Sequence, residues 1–224
     1  KKCLVRLALL CLTGLVISAG CLAAGWTQQS SGTVNNLRAV CFTTPDTGFA
    51  AGLGGVLLRT TNGGSAWFPQ SSGTTSWLER IFFVSHTTGW IVGLNGTILR
   101  TTNMGVTWVP ESSHVTTDLY AVYFVNAQVG TIVGNYSTIL RTTNGGTTWM
   151  PETSGVYSHY NAVAFVNPDT GTVVGTSGVI IHTTNGGESW QVQESGTSEH
   201  LYGVVFPTPN EGIITGDHGL ILRT

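Results

Sequence analysis

A 41-residue repeat runs through nearly the whole chain and constrains its fold more than any other feature. Two apolar residues, a basic residue and a threonine recur without insertion or deletion, starting at Leu57, Ile98, Ile139, Ile180 and Ile221. A phenylalanine recurs at the same spacing from Phe42 to Phe206, and a glycine from Gly52 to Gly216. A period in the forties, with turn residues inside each unit, is typical of propeller or solenoid arrays.

Each repeat reads as four short β-strands. In the first copy, apolar runs at 37–42, 48–52, 55–60 and 67–71 alternate with turn residues. Pro69 lies in the fourth run, which is therefore predicted to be an edge strand. Four short strands in about forty residues make one propeller blade. The sequence therefore predicts an all-β propeller of four-stranded blades over residues 25–224, with five repeats visible.

The first tryptophan of the series suggests how the array closes. Trp26 lies one period before Trp67, so residues 26–30 read as a lone fourth strand. That N-terminal strand is predicted to complete the last blade and close a five-bladed ring. The alternative is that the chain is a fragment of a larger propeller of roughly six or seven blades.

A recurring turn separates the third and fourth strands of each repeat. Its pattern of threonine, asparagine, glycine and tryptophan resembles the Asp-box of bacterial neuraminidase repeats, with asparagine in place of aspartate. Asparagine bonds to nearby backbone amides, glycine supplies positive φ, and tryptophan covers the turn. A structural role is therefore predicted for Asn62, Trp67, Asn103, Trp108, Asn144, Trp149, Asn185 and Trp190.

Residues 1–24 are predicted to be an export signal. Basic residues at 1, 2 and 6 precede an apolar stretch at 7–17 and then small residues. Ser18-Ala19-Gly20 before Cys21 suits a lipoprotein cleavage site, which makes Cys21 a candidate for lipidation. The alternatives are ordinary cleavage near Ala24 and an uncleaved membrane anchor. We expect the protein in the periplasm, the thylakoid lumen or at the cell surface.

The net charge of the chain without its predicted signal argues against nucleic acid as a partner. Removing Lys1, Lys2 and Arg6 from the nine basic residues leaves six against eleven acidic ones, a formal charge of −5. A chain with this net negative charge lacks the basic surface that binds nucleic acid.

Cys41 is the one cysteine that remains beyond the predicted signal. It lies at a position taken by apolar residues in other repeats, so it is predicted to be a small core residue.

Two units carry a family resemblance. Phe165 to Gly175, followed by Ile180 to Trp190, resembles the photosystem II stability/assembly factor family, and the resemblance extends over residues 26–224. It implies a non-enzymatic propeller, without a cofactor, that holds a protein partner such as a photosystem subunit or another envelope protein. Similar repeats also serve as surface or secreted modules, so a structural module of a larger secreted protein is an alternative.

The repeats also separate structural from functional positions. Residues that are the same in every blade hold the blade together, whereas loops that differ are free to specialise, and loops on rigid scaffolds often carry function. Aromatic and histidine side chains are common interface anchors. We predict a binding face opposite the asparagine turns, formed by Trp77, Glu79, His114, Asp118, Tyr136, Tyr157, His159, Tyr160, Glu199, His200, Asp217 and His218.

The repeated basic residue allows two interpretations. Its guanidinium groups could form an anion-binding ring of Arg59, Arg100, Arg141 and Arg223. The interpretation that we favour is local, because strict repetition indicates a task within each blade.

Enzymatic functions are less well supported. A sialidase-like glycosidase would need two carboxylates facing one cleft, and the available ones are Glu79, Asp118, Glu199 and Asp217. No motif surrounds them, and the loop histidines lack metal-ligand spacing. We therefore predict no catalytic residue and no metal, with a glycan-binding or glycoside-cleaving surface propeller as the alternative.

Overall fold

The computed structural model describes residues 25–224, so the predicted export signal and Cys21 lie outside the described residues. Four four-stranded antiparallel blades and a fifth of three strands follow one another. Blade 1 contains β1 (Leu37–Phe42), β2 (Gly48–Gly52), β3 (Leu57–Thr60) and β4 (Phe68–Gln70). Blade 2 contains β5 (Leu78–Phe83), β6 (Gly89–Gly93), β7 (Ile98–Thr101) and β8 (Val109–Glu111).

The remaining blades repeat this order. Blade 3 contains β9 (Leu119–Phe124), β10 (Gly130–Gly134), β11 (Ile139–Thr142) and β12 (Met150–Glu152). Blade 4 contains β13 (Tyr160–Phe165), β14 (Gly171–Gly175), β15 (Ile180–Thr183) and β16 (Gln191–Gln193). Blade 5 contains β17 (Leu201–Thr208), β18 (Glu211–Gly216) and β19 (Ile221–Arg223). The predicted all-β propeller of 41-residue blades is thus confirmed.

The order of strands within a blade follows from their burial. The second strand, such as β10, is buried along its whole length, whereas the outermost strand β12 is largely exposed. Pro151 lies in β12 opposite Leu140, on the edge position where a missing backbone N–H costs no ladder bond. The first strands of successive blades pack against each other, β5 against β9 and β9 against β13.

The hydrophobic core lies between blades. Trp90 of blade 2 stacks on Phe124 of blade 3, with ring centroids 3.5 Å apart, and Phe124 meets the edge of Trp149 at 5.7 Å. Equivalent clusters join blade 1 to blade 2 and blade 3 to blade 4. Because each cluster combines residues of two blades, neighbouring repeats stabilise each other.

The predicted N-terminal closing strand is not found. Residues 25–36 form no strand, Trp26 is fully exposed, and the last sheet has three strands. A closing strand requires the first and last blades to be neighbours, but no packing like that of successive blades joins β1 to β17 within residues 25–224. Among these residues there is also no helix of the length and apolarity needed to cross a membrane.

Candidate binding face

Backbone hydrogen bonds sort the loops into two ends. At one end, the turn between second and third strands lies against the loop that enters the same blade, as in Asn135 N–H to the Asp118 carbonyl at 2.8 Å. At the other end, the asparagine turn lies against the turn between first and second strands, as in Gly145 N–H to the Gln128 carbonyl at 2.8 Å. We call these the hairpin end and the asparagine end.

The hairpin tips have a backbone that favours glycine or asparagine. Both central residues of each tip have positive φ, as in Asn95 at 57° and Gly96 at 68°. Blade 3 has Tyr136 at 50° and Ser137 at 60° in the same places. A left-handed backbone costs an ordinary residue roughly 1–2 kcal/mol. The backbone at position 136 therefore favours glycine or asparagine, and the turn itself does not require a tyrosine there.

Side chains at the hairpin end also link neighbouring blades. In blades 2, 3 and 4 the amide of the tip donates to the side chain that precedes the first strand of the next blade. The donor–acceptor pairs are Asn95 N to Asp118 Oδ1 at 3.1 Å, Tyr136 N to His159 Nδ1 at 3.4 Å, and Ser177 N to His200 Nδ1 at 3.0 Å. Asp118, His159 and His200 thus have a positioning role, while the rest of each side chain remains free to differ.

A β-bulge in each first strand places one further residue at this end. The register skips one residue in every blade, and the skipped residues are Arg38, Glu79, Tyr120, Asn161 and Tyr202. A bulge re-aims the side chain of its unpaired residue. Only Glu79 was predicted from the sequence. The signal that was available is the 41-residue series itself, in which this position changes its chemistry in nearly every blade.

Blade 3 and the loop after it bring aromatic side chains together. The Tyr136 ring meets His159 edge-on with centroids 5.4 Å apart, and Tyr157 meets His159 at 6.3 Å. Tyr157 is 75% exposed and Tyr136 is 59% exposed. Tyr120 is the bulged residue of β9, two positions after Asp118, at the same end as Tyr136. Burial and then the charges of Asp118 and Glu79 raise its pKa, with a smaller contribution from Tyr136. We call Tyr120, Tyr136, Tyr157 and His159 the aromatic patch.

Blade 5 pairs its candidates with each other. His218 Nδ1 lies 2.8 Å from a carboxylate oxygen of Glu199, and this hydrogen bond and charge raise the pKa of His218. The Tyr202 hydroxyl donates to Asp217 Oδ2 at 3.3 Å. The two remaining predicted residues stand apart: Trp77 is partly exposed before β5, and His114 Nδ1 lies 3.4 Å from the Ser112 hydroxyl.

Tyr160 was wrongly predicted as a surface contact. Its side chain is fully buried among Val163, Phe165 and other residues of blades 3 and 4. The hydroxyl donates to the Val156 carbonyl at 2.9 Å and lies 2.6 Å from the Ser154 hydroxyl, so burial leaves no polar atom unpaired. The position is leucine in the other repeats, which makes Tyr160 a core residue with an extra hydroxyl.

The comparison with known families decides the identity of these repeats. A model of the family described as photosynthesis system II assembly factor YCF48 matches the chain in four overlapping segments, at residues 19–110, 66–151, 107–194 and 158–224. The chain belongs to the YCF48 family. No curated protein matches it significantly.

Solved structures show the shared fold of this YCF48-family propeller. The WD40 β-propeller domain of Doa1 is 12% identical, with 85% of this chain and 65% of that chain covered and a TM-score of 0.67. An ancestral GH74 enzyme is 13% identical over 90% of this chain and 32% of that chain, with a TM-score of 0.63. A YCF48 solved bound to a D1 peptide is 16% identical over 85% of this chain and 92% of that chain, with a TM-score of 0.49.

The predicted anion ring is not formed in this YCF48-family propeller. Arg100 pairs with Glu111 at 3.7 Å, Arg141 with Glu152 at 3.9 Å, and Arg223 with Glu211 at 2.5 Å, each within its own blade. Arg59 has no such acid and lies over the Phe49 ring at 5.9 Å. The guanidinium groups are used locally because acidic and aromatic side chains of the blade already surround them.

The asparagine end is built from repeated local bonds. In each turn the threonine hydroxyl donates to the asparagine Oδ1 and the second glycine amide donates back to the threonine oxygen, as Thr142 does with Asn144 and Gly146, both at 2.9 Å. The amide two residues later, Thr148 N, donates to the same Oδ1 at 3.0 Å. These bonds occupy Oδ1 of the asparagine, and the threonine-to-asparagine bond recurs in the turns of blades 1 to 4.

The Arg141–Glu152 ion pair of blade 3 also contacts blade 4. The Arg141 guanidinium donates to the Pro168 carbonyl at 2.5 Å and lies 5.0 Å from the Phe165 ring centre. Its partner Glu152 has a side chain that is 17% exposed. Burial raises the pKa of Glu152 to about 6, although Arg141 and the Trp190 indole N–H both act to lower it. The indole and the carboxylate do not form a hydrogen bond of normal geometry.

The raised pKa of Glu152 predicts a pH-dependent stability. The folded state favours the protonated form, so the contribution of this group is present at acidic pH and is lost as pH rises through about 6. Glu152→Gln mimics the protonated form, and we expect it to be more stable than the parent by about 1 kcal/mol at pH 7.5, after allowing for screening by solvent. The difference should vanish near pH 4.

Urea unfolding of both proteins across this pH range measures the difference. Glu194→Gln is the matched control and should leave the profile unchanged, because Glu194 is an exposed carboxylate that does not act on the pKa of Glu152. A Glu152→Gln variant that is less stable than the parent at pH 7.5 would mean that attraction to Arg141 outweighs the burial of Glu152.

Within residues 25–224, no group of three or more histidine, cysteine, aspartate or glutamate side chains is arranged to hold a metal ion. The four carboxylates considered for glycoside cleavage each have a hydrogen-bond or ion-pair partner. Glu79 is paired with Arg38 at 3.8 Å, Asp118 accepts a backbone N–H, and Glu199 and Asp217 bond to blade 5 side chains.

Proposed function

We propose that this YCF48-family propeller is an exported, non-enzymatic scaffold that holds a partner protein at its hairpin end during assembly or stabilisation of photosystem II. Family membership supports the biological role, and the leader-like residues 1–24 support export to a periplasm, thylakoid lumen or cell surface. A membrane attachment through Cys21 belongs to the same proposal.

One observation carries the choice of the hairpin end. The asparagine end repeats the same bonds from blade to blade, whereas the hairpin end changes its side chains at the tip, at the bulge and before the first strand. Exposed tyrosines concentrate there on a scaffold that is fixed by backbone hydrogen bonds. Such an arrangement suits recognition, because rigid elements position variable contacts.

Affinity capture of the tagged full chain from detergent-solubilised membranes of its own organism tests the proposal. We expect mass spectrometry to find photosystem II subunits or their precursors. A double variant of the patch, Tyr136→Asn with Tyr157→Ser, should lower their recovery about tenfold, as expected for removal of interface anchors. Met150→Ser, an exposed apolar residue on the outermost strand, is the control and should have no effect.

A direct binding measurement accompanies the capture. The D1 peptide is the probe, because it is the ligand named for a solved YCF48. Binding that is lost in the double variant and kept in Met150→Ser supports the proposal. Recovery of glycans or unrelated envelope proteins without any photosystem subunit, together with no D1 binding, would contradict it.

A further inference from the structure

The hairpin end has an unbalanced charge. Its carboxylates are Glu79, Asp118, Glu199 and Asp217, and its guanidinium groups, counting both arginines of the first strands, are Arg38 and Arg80. Glu199 is engaged by His218, and Glu79 only loosely by Arg38, whose side chain is 50% exposed. Asp118 makes no ion pair with any described residue. Around blades 2 and 3 Glu79 and Arg38 form a pair, so Asp118 is the carboxylate of this surface that is left to bind a cation of a partner.

The aromatic patch adjoins these carboxylates. Asp118 lies two residues before Tyr120, and the amide of Asn135, the residue before Tyr136, donates to the Asp118 carbonyl at 2.8 Å. The charges of Asp118 and Glu79 also raise the pKa of Tyr120, after the larger effect of burial. Tyrosine faces attract cations, and a nearby carboxylate adds a directional hydrogen-bond acceptor. Tyr136, Tyr157 and Asp118 thus combine the two groups that recognise a guanidinium or ammonium ion.

The hairpin tip of blade 3 supports a role for Tyr136 outside folding. The tips of the other blades have Gly54, Asn95, Ser177 and His218 in this place, so tyrosine is not needed for the turn. Its ring makes an edge contact with His159 and otherwise faces solvent. A bulky residue in a left-handed backbone is a strained choice, and such strain is more common at functional sites.

We propose that the hairpin end binds a basic segment of its partner protein, with arginine or lysine side chains lying on the aromatic patch and paired with Asp118 and Glu79. The inference rests on the proposed function and adds the chemistry of the partner. Charge complementarity selects this occupant, because an acidic segment would meet Asp118 and the carboxylate excess of the hairpin end, which have the same sign.

The test uses the full chain and two short labelled peptides, one alternating arginine with glycine and the other glutamate with glycine. Fluorescence anisotropy should show binding of the arginine peptide at low salt and at least tenfold weaker binding of the glutamate peptide. The affinity should fall as salt rises, since exposed charges are screened.

Two variants test the residues. Asp118→Asn with Glu79→Gln removes both charges, while the amide side chain introduced at position 118 keeps an acceptor for the Asn95 N–H, and should weaken arginine-peptide binding about fivefold. Tyr136→Asn, which copies the blade 2 tip, should weaken it about threefold without lowering the melting temperature. Asp46→Asn with Asp169→Asn, exposed carboxylates at the asparagine end, changes the net charge equally and should leave binding unchanged.

The outcomes separate this inference from the proposed function. Equal binding of both peptides, or equal loss in the control variant, would overturn the basic-segment inference even if photosystem subunits are captured. Selective binding of the arginine peptide that is lost in Asp118→Asn with Glu79→Gln supports the inference, even if the captured partner is not a photosystem protein.

Discussion

Replacing Trp149 by alanine is expected to lower the free energy of unfolding by about 3–5 kcal/mol, the range for removing a large buried aromatic side chain. Trp149 is 1% exposed and meets the Phe124 ring edge-on at 5.7 Å, in a cluster that combines residues of blades 2 and 3. Its indole N–H makes no hydrogen bond to the described residues, so the loss comes from packing alone. Chemical denaturation followed by circular dichroism measures it.

The neighbouring residue supplies the control. Met150 is adjacent in the chain but 65% exposed, so Met150→Ala should change stability by less than about 0.5 kcal/mol. If both variants unfold like the parent, the tryptophans cover their turns without holding the blades together. A loss in Trp149→Ala alone identifies the tryptophan series as the element that fixes one blade on the next.

Much of this fold is predictable because the repeat supplies five independent readings of one unit. The runs at 37–42 and 48–52 coincide with β1 and β2, since turn residues bound them on both sides. The closing strand at 26–30 was not predictable in the same way. Trp26 has the spacing of the tryptophans that follow the asparagine turns. A strand at 26–30 would also need the edge of another strand to pair with, and the sequence pattern within one repeat does not show whether the first and last blades are neighbours.

The candidate site shows the same division. The grouping of Tyr136, His159 and Asp217 at the hairpin end follows from strand order, because entry loops and second-to-third turns of a meandering blade share one end. The β-bulges were not predicted, because a skipped register depends on the pairing with the partner strand. Tyr120 was missed for that reason. Tyr160 was wrongly predicted to be a surface residue because tyrosine is common at interfaces. The leucine at this position in the other four repeats indicates a core residue instead.

The arginine that recurs at the third position of the 41-residue repeat shows what repetition alone cannot predict. The series favours a local role, but the partner of each arginine depends on the fourth strand. Arg100 and Arg141 face Glu111 and Glu152, whereas Arg59 has Gln70 at the equivalent position. An ion pair is thus present only in the blades where both members are charged, which is visible when the two series are compared together.

Gly134→Ala is expected to lower the free energy of unfolding by about 3 kcal/mol, at the upper end of the cost of overpacking. An added Cβ would overlap the Asp118 carbonyl oxygen and lie 2.9 Å from the Leu119 Cα. Both are backbone atoms held by the bulge between β9 and β10, so neither can move away like a flexible side chain. The same clash with a carbonyl recurs at Gly52, Gly93, Gly175 and Gly216.

This glycine also connects the fold to the candidate face. The close approach holds the entry loop of Asp118 against the strand that leads to Tyr136, and the Asn135 amide bonds to the same carbonyl. Gly134→Ala should therefore weaken arginine-peptide binding as well as stability, under conditions where the variant remains folded. Gly155→Ala is the control, because its φ of 73° costs about 1 kcal/mol but no atom lies within 4 Å of the added Cβ. If Gly134→Ala loses stability yet binds like the parent, the spacing between loop and strand serves the blade alone. If it loses both while Gly155→Ala keeps its affinity, the repeated glycine fixes the geometry on which binding depends.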